Sequence, residues 1–228
     1  MGPFSVLLFD LDDTVVEFTR VRRDSFIQAA SDLKVAADGA ALYQKFCEES
    51  DRLWEGHRAG NVTLEEVRVK RFRTVLKDYP VDAHLFTERF YDILSTADAV
   101  MPGAVEATRA LAKRYTLVGI SNGRREVQEK RMAHVGLKDA FSFYVGPEDC
   151  GFAKPHPGLF LLALARAGNI SRERAMVVGD GLETDIQGAS NLNMASCWLN
   201  PEGLKRSAQD PVPSLEVRDL TELCQHLL

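Results

Sequence analysis

Short, largely apolar runs without alternation recur along the chain, and each ends in polar residues. Val6–Phe9, Thr116–Ile120 and Ala175–Gly179 are such runs. An apolar segment that does not alternate is typical of a central strand in a parallel sheet, because helices cover both of its faces. The sequence therefore predicts buried parallel strands whose polar side chains gather where the strands end.

A long segment of helical pattern separates the first two of these strands. Roughly a hundred residues lie between them, far more than one crossover helix requires. Apolar positions recur at helical spacing over residues 20–34, 38–57, 63–78 and 82–96. Thr63, followed by Glu66, predicts an N-cap for the third helix. We expect an inserted bundle of four antiparallel helices over residues 18–96, with residues 1–17 and 97–228 forming the core.

Strands and helices alternate after Met101-Pro102-Gly103-Ala104. The predicted elements cover residues 116–121, 126–135, 142–145, 156–168, 175–180, 183–191 and 194–199, and the tail, 214–228, is predicted as a short strand or turn and a helix. This order predicts an α/β fold with a doubly wound, Rossmann-like parallel sheet. Its site is expected at the carboxyl ends of the strands.

Composition and charge limit the function classes. The chain of 228 residues carries a formal charge of -5 and has no basic stripe, so no nucleic-acid polymer is expected as a partner. It has no apolar run long enough for a membrane helix, and Met1–Phe9 is predicted as a strand rather than a signal peptide. The four cysteines form no CxxC pair. We expect a cytoplasmic monomer or homodimer.

Acidic residues follow two of the predicted strands. Asp10 and Asp12 follow the first, and Asp180 and Asp185 follow Ala175–Gly179. If the first strand continued, its two acids would share a face about 6–7 Å apart. A solvated turn or a helix N-cap is the alternative interpretation. Two acidic clusters at strand ends favour a hard cation such as Mg²⁺, which prefers oxygen ligands.

Two further segments carry candidate phosphate ligands. Thr116–Ile120 runs into Ser121, Asn122 and Gly123, a loop that can cradle a phosphate through side-chain and backbone donors. Lys154 stands before Pro155, which is predicted to open a helix. Taken singly, a turn serine or a lone lysine is more often structural.

Together and in this order, the four segments resemble the haloacid dehalogenase superfamily of aspartate-nucleophile phosphohydrolases. The positions that match its four motifs are, in order, Asp10, Asp12 and Thr14, then Ser121, then Lys154, and then Asp180 and Asp185. The resemblance spans nearly the whole chain. It implies that the inserted helices form a cap that closes over the site and selects the substrate.

The resemblance also implies a role for each motif residue. Asp10 would attack phosphorus and form an aspartyl-phosphate, and Asp12 would act as general acid and then as general base. Mg²⁺ would be held by Asp10, the backbone carbonyl of Asp12, and Asp180. Asp185 would complete the metal site through water or by orienting Lys154. The residues that would bind the phosphoryl oxygens are Thr14, Ser121, Asn122 and Lys154.

Some finer features concern the substrate. The residues that could touch it are Phe18, Arg22, Trp54, Arg58 and Arg71, although Trp54 fits the core of the cap equally well. The pieces Leu53-Trp54 with Gly60–Thr63, Met101–Ala104 and Ala195–Asn200 are similar to those of the house-cleaning pyrimidine 5′-nucleotidases. That narrower resemblance implies a small-molecule phosphate ester as substrate, such as UMP or dTMP.

Other functions stay open. A phosphatase of a sugar phosphate or of phosphoglycolate would use the same core residues, and so would a sugar phosphomutase. Dehalogenases of the superfamily lack the acid found here at Asp12. A phosphonate hydrolase would need a Schiff-base lysine in the cap, and no lysine there is singled out. A catalytically idle binding module is the remaining alternative.

Overall fold

A parallel sheet forms the centre of the computed structural model, which describes residues 4–228. Its strands are β1 Val6–Phe9, β2 Thr116–Ile120, β3 Phe143–Val145, β4 Ala175–Gly179, β5 Ala195–Leu199 and β6 Leu215–Val217. They lie in the order β3-β2-β1-β4-β5-β6, and each neighbouring pair is parallel. Phe9 pairs with Gly119 and Val178, so β1, β2 and β4 end at the same edge. The predicted fold class is confirmed.

Helices account for most of the remaining chain. They are α1 Phe18–Asp32, α2 Gly39–Arg58, α3 Leu64–Leu76, α4 Ala83–Ser95, α5 Ala104–Ala112, α6 Arg125–His134, α7 Pro147–Cys150, α8 Pro157–Arg166, α9 Gln187–Asn191 and α10 Leu220–Leu227. Short turns of 3₁₀ helix cover Lys138–Ala140 and Arg172–Arg174, and a π-helical turn covers Leu182–Ile186. Among residues 4–228, no helix is long and apolar enough to cross a membrane.

The chain divides into two compact units. One combines the chain up to Phe18 with Asp98–Leu228, and the other is Thr19–Ala97. The first therefore contains the sheet, and the second contains almost all of α1 together with α2, α3 and α4. That the two act as separate domains, with the helical one as a cap, stays a prediction.

Both faces of the sheet are covered, which explains the unbroken apolar sequence of β1. Leu7 and Phe9 pack in one cluster with residues of α5 and α10, and Val6 and Leu8 pack in another with residues of α8 and α9. All four side chains are buried. Each contributes about 1.5–3 kcal/mol by leaving water, so neither face of this strand tolerates a polar residue.

The helical unit has an aromatic core. Its fully buried rings are Phe26, Phe46, Phe72, Phe86 and Phe90. Ring centroids of neighbouring members lie 4.8–6.4 Å apart in tilted or edge-on pairs, which is the favoured range for aromatic contacts. Asp38, Thr63 and Asp82 cap the N-termini of α2, α3 and α4. The N-cap predicted at Thr63 is therefore confirmed, and it forms a capping box with Glu66.

The chain leaves the sheet unit and returns to it along two paired segments. Val16 and Val100 form an antiparallel bridge. The N–H of Met101 donates to the carbonyl of Val15 at 2.9 Å, and the N–H of Glu17 donates to that of Ala99 at 3.3 Å. The two ends of the helical insertion are therefore adjacent.

Some predicted bounds are wrong. The first strand begins at Val6 rather than Met1; Phe4 and Ser5 precede it, and residues 1–3 lie outside the described residues. Pro155 does not open a helix. His156 caps α8 by accepting a hydrogen bond from the N–H of Gly158, and Pro157 is the first helical residue, the position at which a missing N–H costs nothing.

Two other segments differ from the predicted helices. Residues 183–191 are not one helix, because the π-helical turn Leu182–Ile186 precedes α9. The helix α5 was not predicted. Gly103, at its N-cap, adopts a left-handed conformation and provides no side-chain cap, so the usual polar start signal is absent from the sequence.

Candidate active site

A buried ion cluster lies where β1, β2 and β4 end. Lys154 donates hydrogen bonds to Oδ1 of Asp10 and, at 2.7 Å, to Oδ1 of Asp185. It also donates to the carbonyl of Ile120, the last residue of β2, at 3.3 Å. The exposed fractions are 4% for Lys154, 4% for Asp10 and 1% for Asp185. Charges this deeply buried require partners, and these three residues are partners of one another. Lys154 and Asp185, from the predicted third and fourth motifs, therefore lie in contact with each other and with Asp10 of the first.

Three carboxylates of this cluster could hold a metal ion. One oxygen each from Asp10, Asp180 and Asp185 lies within 4.8 Å of the other two. An all-oxygen set of this kind suits a hard divalent cation such as Mg²⁺. Asp12 contributes no side-chain oxygen to the group, and the metal-binding role of its backbone carbonyl stays a prediction.

Burial and crowding change the ionisation of these groups. Burial raises the pKa of Asp10 well above its ordinary value; Lys154 counteracts the rise, and Asp185 adds to it. Burial, and then the charge of Asp185, raise the pKa of Asp180 to about 6. Burial by itself would lower the pKa of Lys154, but Asp10 and Asp185 raise it above its ordinary value, so the lysine stays charged. A divalent cation would favour the ionised carboxylates.

Small residues allow Asp185 to reach the lysine. A Cβ on Gly179, the last residue of β4, would lie 2.5 Å from Cγ of Asp185. The N–H of Gly181 donates to Oδ2 of Asp185 at 3.2 Å, and the π-helical turn begins at the next residue. The indole N–H of Trp198 donates to the backbone carbonyl of Asp180 at 2.8 Å. Turns of π type are frequent at functional sites, and this one contains Asp185, whose carboxylate contacts Lys154.

Asp12 does not continue the first strand. The strand ends at Phe9, and the chain turns at Asp13, which has φ 56°. The expected 6–7 Å spacing on a common strand face with Asp10 therefore does not apply. Oδ1 of Asp12 accepts a hydrogen bond from Arg131 at 2.5 Å, and Oδ2 accepts hydrogen bonds from Gln128 at 2.7 Å and Ser121 at 3.3 Å.

Two predicted phosphate ligands bond to the protein itself. The hydroxyl of Thr14, fully buried, donates to Oδ1 of Asp180 at 3.3 Å. The side-chain amide of Asn122 donates to the carbonyl of Lys154 at 3.1 Å and accepts from its N–H at 2.7 Å. These contacts hold Asp180 and the Lys154 segment. The phosphate-binding roles of Thr14 and Asn122 stay predictions.

The residues predicted to face the substrate are dispersed. Phe18 lies in the sheet unit, with the guanidinium of Arg131 5.3 Å from its ring centroid. In the helical unit, Arg22 donates to the hydroxyl of Tyr43 at 2.9 Å, and Arg71 donates to that of Tyr91 at 2.6 Å.

Arg71 also faces the rings of Phe46 and Phe72, at 5.2 and 5.1 Å. Trp54 is half-buried, edge-on to His57, so both of its predicted roles remain open, and Arg58 is exposed.

Gln128, Arg131 and Trp198 were not predicted as site residues. Gln128 and Arg131 are three positions apart on α6 and share a face of that helix. Both are buried, at 3% exposure. The only signal in the sequence is a pair of polar side chains beside the apolar residues Val127 and Met132, which is too common to indicate a site.

Comparisons with known proteins identify the family. A sequence model of the haloacid dehalogenase-like hydrolases matches residues 4–193. The chain therefore belongs to the haloacid dehalogenase-like hydrolases, as the four motifs predicted.

Similar proteins span the whole length. The HAD-hydrolase YfnB of Bacillus subtilis is 29% identical over 100% of this chain and 97% of its own. Its crystal structure, solved with magnesium, gives a TM-score of 0.86 at 27% identity and covers 98% of both chains. The pyrimidine 5′-nucleotidase YjjG of Escherichia coli is 31% identical over 96% of this chain and 98% of its own. The structure of a 2-haloacid dehalogenase from Pseudomonas syringae gives a TM-score of 0.72 at 27% identity and covers 98% of both chains.

Proposed function

We propose that this hydrolase is a Mg²⁺-dependent phosphatase that acts on pyrimidine nucleoside monophosphates through an aspartyl-phosphate on Asp10. The observation that carries the proposal is the meeting of Asp10, Asp180 and Asp185, with Lys154 paired to Asp10 and Asp185. These carboxylates exceed the single ammonium in charge, which fits a site for a divalent cation. The cation and Lys154 together would attract a phosphate dianion.

The chain's own residues account for both halves of the reaction. An oxygen of Asp10 forms a bond to phosphorus as the bond from phosphorus to the leaving oxygen breaks, and Asp12 gives that oxygen a proton. Asp12 then takes a proton from a water molecule whose oxygen attacks the phosphorus. This step releases inorganic phosphate and restores the carboxylate of Asp10.

Other groups hold the phosphate and the nucleophile. Lys154 orients Asp10 and provides positive charge toward the phosphoryl oxygens, and the hydroxyl of Ser121 lies beside Asp12. Mg²⁺ bound by Asp10, Asp180 and Asp185 would supply charge neutralisation, so that an anionic nucleophile can approach an anionic ester. The magnesium in the YfnB crystal structure supports this choice of metal.

The choice of substrate rests on the relatives and on the helical unit. YjjG, a pyrimidine 5′-nucleotidase, matches nearly the full length of this chain. We propose that the helical unit selects the leaving group. The candidate contacts of the leaving group are Arg22, Trp54, Arg58 and Arg71 in the helical unit, together with Phe18 in the sheet unit. Arg71 donates to the hydroxyl of Tyr91 and lies against the rings of Phe46 and Phe72, and we propose that its charge attracts an electronegative atom of the substrate.

Release of inorganic phosphate tests the proposal. The panel contains UMP, dTMP, CMP, AMP, sugar phosphates and phosphoglycolate, each assayed with Mg²⁺ and with chelator. We expect metal-dependent release that favours the pyrimidine nucleotides. Asp10→Asn should abolish turnover and leave the thermal unfolding cooperative, because the amide cannot form the acyl phosphate. Full activity in this variant would refute Asp10 as nucleophile.

The same assays separate the alternatives. Preference for another ester would retain the mechanism and reject the nucleotidase. A phosphomutase would transfer phosphate between sugar positions, with activation by a bisphosphate and little net release. Because a 2-haloacid dehalogenase is structurally similar, chloride release from 2-chloropropionate is measured as well. Asp12 argues against that activity, since a halide leaving group needs no proton.

A further inference from the structure

Helix α6 contributes a buried polar network to Asp12. Arg131 and Gln128 donate to the two different oxygens of the Asp12 carboxylate, at 2.5 and 2.7 Å. Gln128 also donates to the hydroxyl of Ser121 at 2.9 Å, and Arg131 donates to Oε1 of Gln128 at 3.2 Å. Both side chains therefore contact the proposed proton carrier, and Gln128 also contacts the hydroxyl beside it.

The loop after β2 is shaped around this network. The N–H of Gly123 donates to the hydroxyl of Ser121 at 3.0 Å. A Cβ on Gly123 would lie 2.8 Å from Nε2 of Gln128 and 3.2 Å from Oγ of Ser121. A side chain there would displace the amide of Gln128, so the glycine permits the close approach.

Stability alone is a poor reason for this arrangement. Arg131 is 3% exposed, and its ion pair with Asp12 is the only one it makes within residues 4–228. Burying a guanidinium carries a large desolvation penalty, and a buried ion pair often stabilises no more than apolar residues of the same volume. What the contacts do achieve is geometric: donors on both oxygens fix the position and the plane of the Asp12 carboxylate.

We propose that Arg131 and Gln128 are positioning residues, which hold Asp12 at the place from which it transfers a proton to the leaving oxygen. The inference rests on the proposed function of Asp12. A misplacement of about 1 Å in a catalytic group can cost about a hundredfold in rate. A defect of this origin depends on how much the leaving group needs the proton, which a general loss of structure would not.

The test compares esters with poor and good leaving groups. Arg131→Met removes the charge and keeps most of the side-chain volume. For an alkyl ester such as UMP or a sugar phosphate, we expect the single-turnover rate of leaving-group release, which measures formation of the aspartyl-phosphate alone, to fall about 10- to 100-fold. For 4-nitrophenyl phosphate, whose leaving group departs without a proton, this rate should fall less than about threefold. Hydrolysis of the aspartyl-phosphate, in which Asp12 is the base, is common to both esters and should slow equally for both. Arg131→Lys, which retains the charge but not the planar fork, should give an intermediate rate of leaving-group release from the alkyl ester.

A double-mutant cycle tests whether Arg131 acts through Asp12. Asp12→Asn alone should show the same dependence on the leaving group. Adding Arg131→Met to it should then cost little more, because the group being positioned is already inactive. Lys130→Met is the matched control. It removes an exposed cation from the neighbouring position of α6, and it should leave kcat and KM unchanged for both esters.

Each result has one meaning. Equal slowing of leaving-group release from both esters, or multiplication of the effects of Arg131→Met and Asp12→Asn on that step, would overturn the positioning role. Unchanged turnover in Asp12→Asn would instead refute the proposed function of Asp12. If Arg131→Met does not unfold cooperatively, Arg131→Lys and Gln128→Met are carried through the same cycle, and absence of the leaving-group dependence in both is equally decisive.

Discussion

We expect the carboxylate of Asp180 to lower the free energy of unfolding of the metal-free protein. Its carboxylate has a pKa of about 6 rather than 3.8, because of burial and the charge of Asp185. The unfolded chain therefore binds fewer protons than the folded one between pH 4 and 6, and stability falls as pH rises through this window. At about 1.36 kcal/mol per pH unit, the loss approaches 3 kcal/mol at pH 7.

Asp180→Asn removes this charge with almost no change in shape. Oδ1 can still accept the hydrogen bond from Thr14. In chelator at pH 7.5, we expect the free energy of unfolding of the variant to exceed that of the wild type by as much as about 3 kcal/mol. The difference should shrink as pH falls and disappear below about pH 3, where the acid is neutral in both states. Activity should be lost, because a proposed metal ligand is removed.

Urea unfolding with and without Mg²⁺ measures both effects. At a Mg²⁺ concentration a hundredfold above its dissociation constant, the wild type should gain about 2.7 kcal/mol, whereas Asp180→Asn should gain little. Glu202→Gln, which neutralises an exposed acid, is the control and should behave as the wild type. A variant less stable than the wild type in chelator at pH 7.5, or one stabilised by Mg²⁺ as much as the wild type, would refute the reasoning.

Three further substitutions have definite expected outcomes. Lys154→Met leaves Asp10 and Asp185 buried without their cation and should cost about 3–5 kcal/mol of unfolding free energy at pH 7. The cost should be smaller at pH 4, because burial raises the pKa of Asp10 well above its ordinary value, and urea unfolding at the two pH values measures the difference. Gly179→Ala places a Cβ against Asp185 and should lower the free energy of unfolding by about 1–3 kcal/mol. It should also remove most of the phosphate release, and normal activity would show that Asp185 has room to move. Phe46→Ala removes a fully buried ring from the helical unit; calorimetry should show a loss of about 3–5 kcal/mol, with metal affinity measured by titration unchanged.

The sheet could be predicted because its strands have a local signature. Val6–Phe9 and Ala175–Gly179 are buried on both faces, so their sequences are apolar at every position, and parallel strands that end together bring their trailing acids to one edge. Helices of the helical unit could also be predicted from the sequence, because signals such as the capping box of Thr63 and Glu66 involve residues that are close in the sequence.

Features set by distant residues could not be predicted. The π-helical turn Leu182–Ile186 contains Asp185, whose partner Lys154 lies 31 residues away in the sequence. The partners of Asp12, Gln128 and Arg131, lie 116 and 119 residues away from it. The hydrophobic pattern in a short window of sequence indicates where a strand ends, but it does not determine which distant side chains contact the residues at that end.

The paired segments at Val16 and Val100 have a consequence for how this protein can change. Because Glu17 and Ala99 are hydrogen-bonded to each other, a short turn could close the sheet unit where the helical insertion now begins and ends. Insertions at such closely spaced ends are tolerated well, and loop-closure entropy rises only slowly with the length of what is inserted. Helical segments from related proteins could therefore be exchanged at this junction while the residues at the strand ends stay as they are, and under the proposed role of the helical unit this exchange would change which phosphate esters are accepted.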